Sequence, residues 1–124
     1  MFALDYKTKV PIYEQIQDQV ISFIALGIFK PNEQLPAVRQ LASDLGVNPN
    51  TVAKAYQELE RLGYIVSQTG RGSFISDTSN IIDMLKSEYI EQLKSLLRKM
   101  KTLNIPHQDI ILVTNSIFKK ERQQ

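Results

Sequence analysis

Two short amphipathic segments joined by a tight turn constrain the fold of this chain more than any other feature of its sequence. The apolar residues of the first segment fall at the i, i+3, i+4 and i+7 positions of one helical face: Val38, Leu41, Ala42 and Leu45. Gly46 then suits a left-handed helix end, and Asn48-Pro49 supplies an N-cap followed by a residue suited to the first helical turn. Two helices separated by about three residues that include glycine are typical of a helix-turn-helix.

Apolar spacing defines three helices around this turn. A first helix is expected from about Pro11 to Leu26, because Ile12, Ile16, Val20, Phe23 and Ile24 share one face. The second runs from about Ala37 to Leu45, and the third starts at Asn48-Pro49 and ends at Gly63.

The apolar period changes after the third helix from about 3.6 to about 2 residues, which is typical of strands. We therefore predict strands at residues 64–67 and 73–76, around the turn Gln68-Thr69-Gly70-Arg71-Gly72. A helix-turn-helix followed directly by such a β-hairpin is a winged helix-turn-helix.

A second periodic region follows a polar connector at residues 77–80. Its apolar residues recur about every 3.5 positions, as in a coiled-coil seam: Ile82, Leu85, Tyr89, Leu93, Leu96, Met100 and Leu103. Asn104-Ile105-Pro106 should break this helix, and apolar residues between Ile110 and Phe118 predict another, short helix. This helical hairpin carries more apolar surface than two isolated helices can bury, so it needs either the winged domain or a second copy of the chain.

The predicted fold is mainly α with a small β-hairpin. A winged helix-turn-helix domain is expected over residues 1–77, followed over residues 78–124 by a C-terminal helical hairpin for dimerisation. The expected dimer interface is the stripe formed by Leu85, Tyr89, Leu93, Leu96 and Met100.

Composition excludes several classes of function. The chain has no cysteine and a single histidine, His107, so it cannot form a disulfide framework, a thiolate zinc site or a Cys/His nucleophile pair. We expect His107 to be structural, no metal or cofactor to be bound, and the chain not to be an enzyme, because paired carboxylates and a phosphate loop are also missing. The longest charge-free apolar stretch, residues 19–29, is shorter than the roughly 18 residues of a membrane-spanning helix, and no signal peptide begins the chain. A cytoplasmic protein without a membrane partner is expected.

Polar residues early in the third helix have the chemistry of base recognition. The N-terminal residues of a recognition helix reach base edges in the major groove, where Asn and Gln pair with adenine, Thr contacts a thymine methyl and Lys contacts guanine or phosphate. Residues of these types lie off the apolar stripe: Asn48, Asn50, Thr51, Lys54 and Gln57. The alternative for each is an ordinary solvated helix face.

Two arginines outside the third helix are further candidates. Arg71 lies between two glycines at the hairpin tip, where it can approach a phosphate or a narrow minor groove. Arg39 on the second helix can clamp a phosphate with two hydrogen bonds. The alternatives are a soluble turn residue for Arg71 and, for Arg39, a surface ion pair with Asp44 or another acidic residue.

The charge distribution leaves a second function open. Lys and Arg number 15 against 13 Asp and Glu, yet Met1–Thr78 holds 7 basic and 8 acidic residues. This balance mildly favours a winged-helix module that binds protein rather than specific DNA. Binding that depends strongly on salt would distinguish DNA from protein as the partner.

The stretch from Pro31 to Ile75, with the opening of the first helix, resembles the GntR family of bacterial transcription regulators, and specifically its short YtrA-like subgroup. The motifs that carry the resemblance are Pro11-Ile12-Tyr13-Glu14-Gln15-Ile16, Leu35-Pro36-Ala37-Val38-Arg39-Gln40-Leu41-Ala42, Gly46-Val47-Asn48-Pro49-Asn50-Thr51-Val52-Ala53-Lys54-Ala55-Tyr56, Leu59-Glu60, Gly63-Tyr64-Ile65 and Gly70-Arg71-Gly72-Ser73-Phe74.

The resemblance implies a homodimeric repressor that occludes a promoter by binding a pseudo-palindromic operator in double-stranded DNA, often of a transporter operon. It also implies DNA contacts from Arg39, from Asn48 to Thr51 and from Gly70. Together with the residues chosen by chemistry, the predicted DNA-binding set is Arg39, Asn48, Pro49, Asn50, Thr51, Lys54, Thr69, Gly70, Arg71 and Gly72. The sequence identifies no small-molecule effector.

Two departures from the family pattern affect the predicted site. Pro49 stands where many members have an arginine, and Ala53 replaces another basic residue, so Asn50 and Lys54 become the better base-reading candidates. Ala37 replaces the usual serine at the N-cap of the second helix, a change that costs about 0.5 to 2 kcal/mol in typical hosts unless other contacts compensate.

Overall fold

The structure is a computed structural model that describes residues 1–77 and 79–122, and side chains of the last helix as far as Lys119. The elements, in chain order, are α1 (Ile12–Ala25), α2 (Val38–Leu45), α3 (Pro49–Arg61), β1 (Ile65–Gln68), β2 (Gly72–Ile75), α4 (Ser79–Thr102) and α5 (His107–Arg122). The chain divides into two compact units, Met1–Asp83 and Met84–Gln124, of which the second is described as far as Arg122. Among residues 1–77 and 79–122, no helix combines the length and the apolar character needed to cross a membrane.

The helix-turn-helix forms as the sequence predicts. Gly46 ends α2 in the left-handed conformation with φ of 68°, and the side-chain oxygen of Asn48 accepts a hydrogen bond of 2.8 Å from the Asn50 backbone N–H. Pro49 occupies the first position of α3. Ala37 makes no side-chain cap at the start of α2, in agreement with its lack of a polar group.

The core of the first unit forms where α1 and α2 pack against α3. Its buried residues lie on one stripe of each helix: Ile16, Val20 and Ile24 of α1, Leu41 and Ala42 of α2, and Val52, Ala55, Tyr56 and Leu59 of α3. The Tyr56 hydroxyl donates a hydrogen bond of 2.7 Å to the Pro36 carbonyl, which anchors the start of α2. Burial raises the pKa of Tyr56, so this hydroxyl stays a neutral donor at physiological pH.

The wing contains more than the predicted hairpin. The strands β1 and β2 pair antiparallel from Ile65 opposite Ile75 to Gln68 opposite Gly72, one residue displaced from the predicted strands because Gly72 closes the turn. Residues 32–35 form a third edge on β2, which the sequence did not predict. There the Asn32 N–H donates to the Ile75 carbonyl at 2.7 Å, and Gln34 forms a bridge with Phe74.

Residues 1–10, the N-terminal arm, lie along α1 and are held by two glutamine side chains. The Gln15 amide accepts from the Asp5 N–H at 2.9 Å and donates to the Asp5 carbonyl at 2.8 Å. Gln19 makes the same pair of bonds with Ala3, accepting from its N–H at 2.9 Å and donating to its carbonyl. Near the arm's start, Phe2 packs edge-on against Phe23, with ring centroids 5.4 Å apart.

Two sequence predictions for the C-terminal region need correction. The polar connector is shorter than residues 77–80, because α4 already begins at Ser79; Thr78 lies outside the described residues. The last helix is not short but runs over His107–Arg122, since the charged residues that follow Phe118 are good helix formers. The predicted break is confirmed, with Asn104 in the left-handed conformation at φ of 59°.

Candidate nucleic-acid interface

One face of α3 is polar and exposed. Asn50, Lys54 and Gln57 are exposed at i, i+4 and i+7, and therefore follow one line along the helix. The buried stripe that contains Val52 and Leu59 lies on the opposite side. The packing of the core thus leaves this polar line free to enter a groove.

Neighbouring residues at the start of α3 differ in whether their side chains cap the helix or remain available to another molecule. Asn48 commits its side-chain oxygen to the helix cap, which leaves only its NH₂ group to donate to another molecule. Asn50 uses its backbone N–H in that cap but keeps both ends of its exposed side-chain amide available. Thr51 is half-buried.

Lys54 has a partner that the sequence did not reveal. Its ammonium nitrogen lies 4.0 Å from the ring centroid of Tyr13, in the first turn of α1, within the range of a cation–π interaction. Tyr13 therefore restrains a long side chain that would otherwise lose rotamer entropy on binding. No local pattern reports this pair, because the two residues belong to different helices.

Arg39 is exposed in the first turn of α2. Within the part of the chain that the structure describes, it forms no ion pair. Asp44, its alternative partner, instead accepts a hydrogen bond of 2.8 Å from Gln40. The guanidinium of Arg39 is thus available to a phosphate.

The wing turn has a defined conformation. The Arg71 N–H donates to the Gln68 carbonyl at 2.9 Å, and the flanking Gly70 and Gly72 have φ values of 76° and 112° that favour glycine. Thr69, Gly70 and Arg71 are exposed at the tip. The central guanidinium carbon of Arg71 lies 5.9 Å from the centroid of the Phe74 ring.

Gln34 is a second residue that sequence reasoning missed. Its side-chain NH₂ donates a hydrogen bond of 2.8 Å to the Arg71 carbonyl, across 37 positions of sequence. It sits just ahead of Leu35-Pro36 in a loop, and no motif distinguishes it from a solvated glutamine.

The predicted dimer stripe lies on α4 without being buried. Tyr89, Leu93 and Leu96 are 60%, 49% and 55% exposed, and Leu85 and Met100 are half-buried. Between α4 and α5 an apolar groove of about 440 Å³ is lined by residues that include Leu93, Leu96, Met100, Ile110 and Phe118.

Comparison with known proteins gives consistent similarities. The model of the family described as "Bacterial regulatory proteins, gntR family" matches residues 12–75. The chain is 43% identical over 99 residues to the HTH-type transcriptional repressor YtrA of Bacillus subtilis, covering 78% of this chain and 76% of YtrA.

Solved structures share the fold. A GntR family transcriptional regulator from Listeria monocytogenes has a TM-score of 0.72 at 31% identity, over 91% of this chain and 98% of that one. The DNA-binding domain of AraR, solved in complex with the operator ORE1, has a TM-score of 0.53 at 28% identity, over 61% of this chain and 93% of that one.

Proposed function

Because the chain belongs to the GntR family of bacterial regulatory proteins, we propose that it is a homodimeric repressor that binds a pseudo-palindromic DNA operator. The chain is a helix-turn-helix transcriptional regulator and not an enzyme, in agreement with the sequence prediction. The repressor role is supported by similarity to YtrA, which is named a transcriptional repressor.

The exposed polar line of α3 is the observation that carries the DNA-binding role. It projects side chains that can hydrogen-bond to base edges, while Arg39 of α2 and Arg71 at the wing tip supply cations for phosphates. AraR, whose DNA-binding domain was solved with an operator, supports the same use of the fold. Asn50 is the proposed base reader, and Lys54 and the two arginines position the protein on the duplex.

The exposed apolar stripe of α4 supports a dimer. Between residues 84 and 119 no side chain is buried, and two helices joined by a short turn do not bury enough apolar surface to be stable alone in water. A second copy would cover the stripe through a two-fold interface and thereby present two recognition helices. Two half-sites related by the same axis follow from that symmetry.

Footprinting on DNA from upstream of the protein's own gene tests the proposal, with binding measured between roughly 50 and 200 mM salt. We expect a protected site with two related halves, and an affinity that falls steeply with salt because phosphate contacts release counterions. A transporter operon under the same control would show the same protected sequence.

The absence of DNA protection at every salt concentration would support the other candidate function, which is binding to a protein partner. The 7 basic and 8 acidic residues of Met1–Thr78 favour a module that binds protein through α3. In that case no DNA sequence would be protected at any salt concentration, and the operator proposal would fail.

A further inference from the structure

The wing turn is supported from outside the hairpin by one side chain. Gln34 lies in the segment before α2, and its NH₂ group donates to the Arg71 carbonyl at 2.8 Å. The same residue bridges to Phe74 of β2, and the next N–H, that of Leu35, donates to the Ser73 carbonyl at 2.9 Å. The main chain thus fixes Gln34 beside the strand, and its side chain reaches the turn.

The Gln34 amide lies in the space beside Gly72 where another residue would place its Cβ atom. A Cβ atom added at Gly72 would lie 2.8 Å from the Gln34 nitrogen, closer than real Cβ contacts. The glycine therefore serves two purposes: it permits a φ of 112°, and it leaves the space that the glutamine amide occupies. Gln34 and Gly72 are complementary parts of one turn.

From these contacts we propose that Gln34 is a positioning residue for the wing, which sets the orientation of Arg71 toward DNA without contacting DNA itself. The inference rests on the proposed function. Its physical basis is the entropy of a three-residue hairpin loop, since Thr69, Gly70 and Arg71 lie beyond the last strand pair and keep conformational freedom unless an outside contact removes it. A turn already held in its binding conformation loses less entropy when it contacts a phosphate.

Gln34→Met tests the proposal, because methionine keeps the length of the side chain and removes the donor. We expect weaker binding to specific and random DNA alike, by about 3- to 30-fold, and a salt slope flatter by up to roughly one unit. Gln108→Met is the matched control, since Gln108 is exposed in the first turn of α5 and belongs neither to the wing nor to the proposed dimer stripe, and this variant should bind DNA as the wild type does.

A double-mutant cycle with Arg71→Ala separates positioning from general support of the fold. If Gln34 acts through Arg71, Gln34→Met should cost little DNA affinity in a protein that already carries Arg71→Ala. The effects of the two substitutions on affinity are then strongly non-additive. Additive losses, or Gln34→Met binding as the wild type while Arg71→Ala binds weakly, would overturn the proposal. If the wild type bound no DNA, the proposed function would fail first.

Hydrogen exchange supplies a readout that does not depend on DNA. The Arg71 N–H is bonded to the Gln68 carbonyl inside the turn, so loosening of the turn should speed its exchange. We expect faster exchange at Arg71 in Gln34→Met, with exchange in α3 unchanged. An unchanged exchange rate at Arg71 would show that the turn keeps its conformation without the Gln34 hydrogen bond, and would overturn the positioning role.

Discussion

The two compact units of this protein differ in where their apolar side chains lie. In the part of the chain that the structure describes, every buried apolar side chain belongs to Met1–Asp83, with Ile16, Val52 and Leu59 fully enclosed. From Met84 onward, large apolar residues are exposed or half-buried. The first unit therefore carries its own core, whereas the second exposes the apolar surface that we propose a second copy covers.

This difference separates two sources of stability. Packing within the first unit is independent of concentration, because it involves one chain. Stability that comes from a dimer rises with protein concentration. Substitutions in the two units should consequently be detected by different measurements, and the following experiments use that contrast.

Leu59→Ala should have the largest effect, since it creates a cavity where α3 meets the rest of the core. Leu59 has 0% exposure, and truncation of a fully buried leucine costs about 2 to 5 kcal/mol of unfolding free energy. Urea denaturation measures the loss. Leu26→Ala, at a 71% exposed position, is the control and should change stability by less than about 0.5 kcal/mol.

Replacing Leu93 and Leu96 together by alanine should weaken the dimer and leave the core of the first unit intact. In a two-fold dimer four leucine side chains are lost, and each is only about half exposed before association, so the loss corresponds to roughly 3 kcal/mol or more, at least about a 100-fold higher dissociation constant, measured by light scattering over a dilution series. Met84→Ala, at a 72% exposed position off the stripe, should have no such effect. A wild type that stays monomeric at micromolar concentration with full DNA affinity would disprove the dimer.

Asn50→Ala should affect recognition without affecting stability. We expect a loss of roughly 1 to 3 kcal/mol on the operator and a relaxed preference at one base position per half-site, because an exposed amide can pair with adenine. Selection from a random DNA pool by wild type and variant measures this. Identical motifs of equal sharpness would remove Asn50 from the base-reading set.

Asn48→Ala should have a smaller effect, and that effect should fall mainly on the stability of the fold rather than on DNA recognition. It removes the cap of α3, which typically costs about 0.5 to 2 kcal/mol of stability. Thermal unfolding measures the loss. Asn48→Ser, which restores a capping oxygen, should recover most of it.

The smallest expected change concerns Asp18 on α1. Partial burial, and secondarily the charge of Glu14, raises the pKa of Asp18 above its usual value. The folded state then holds the proton more tightly than the unfolded state, so the ionised carboxylate lowers stability at neutral pH, and this penalty fades as the pH falls through the raised pKa. Asp18→Asn should unfold at a slightly higher temperature at pH 7, with the difference shrinking toward pH 4, as measured by thermal unfolding over this pH range.

The sequence predicted the elements whose signals are local. Gly46, Asn48 and Pro49 specify the turn between α2 and α3 through their own backbone preferences, so no distant contact is needed to recognise them. The winged helix-turn-helix and the helical break at Asn104 were predictable for the same reason.

The missed features all depend on residues that only folding brings together. Gln34 meets Arg71 across 37 positions, and Lys54 meets Tyr13 on another helix, so no short window of sequence contains either pair. The strands are displaced by one residue from the prediction because Gln68 pairs with Gly72, which takes a positive φ of 112°. Polar side chains that bond distant backbone groups resemble solvated ones in sequence.

The two glutamines of α1 that hold the N-terminal arm bond its main chain in the same way as the edge strand of a β-sheet would. Four residues of helix rise about 6.0 Å and two residues of extended chain about 6.7 Å, so amides at Gln15 and Gln19 nearly match the spacing of Asp5 and Ala3. Each amide accepts from one main-chain N–H and donates to the carbonyl of the same residue, as a strand residue does, and the NH₂ group of Gln15 also donates to the Val10 carbonyl at 2.9 Å. Position 3 can therefore change identity over evolutionary time with one exception, proline, which has no N–H to offer, whereas at position 5 the Asp5 carboxylate also accepts from the Lys7 N–H at 2.8 Å.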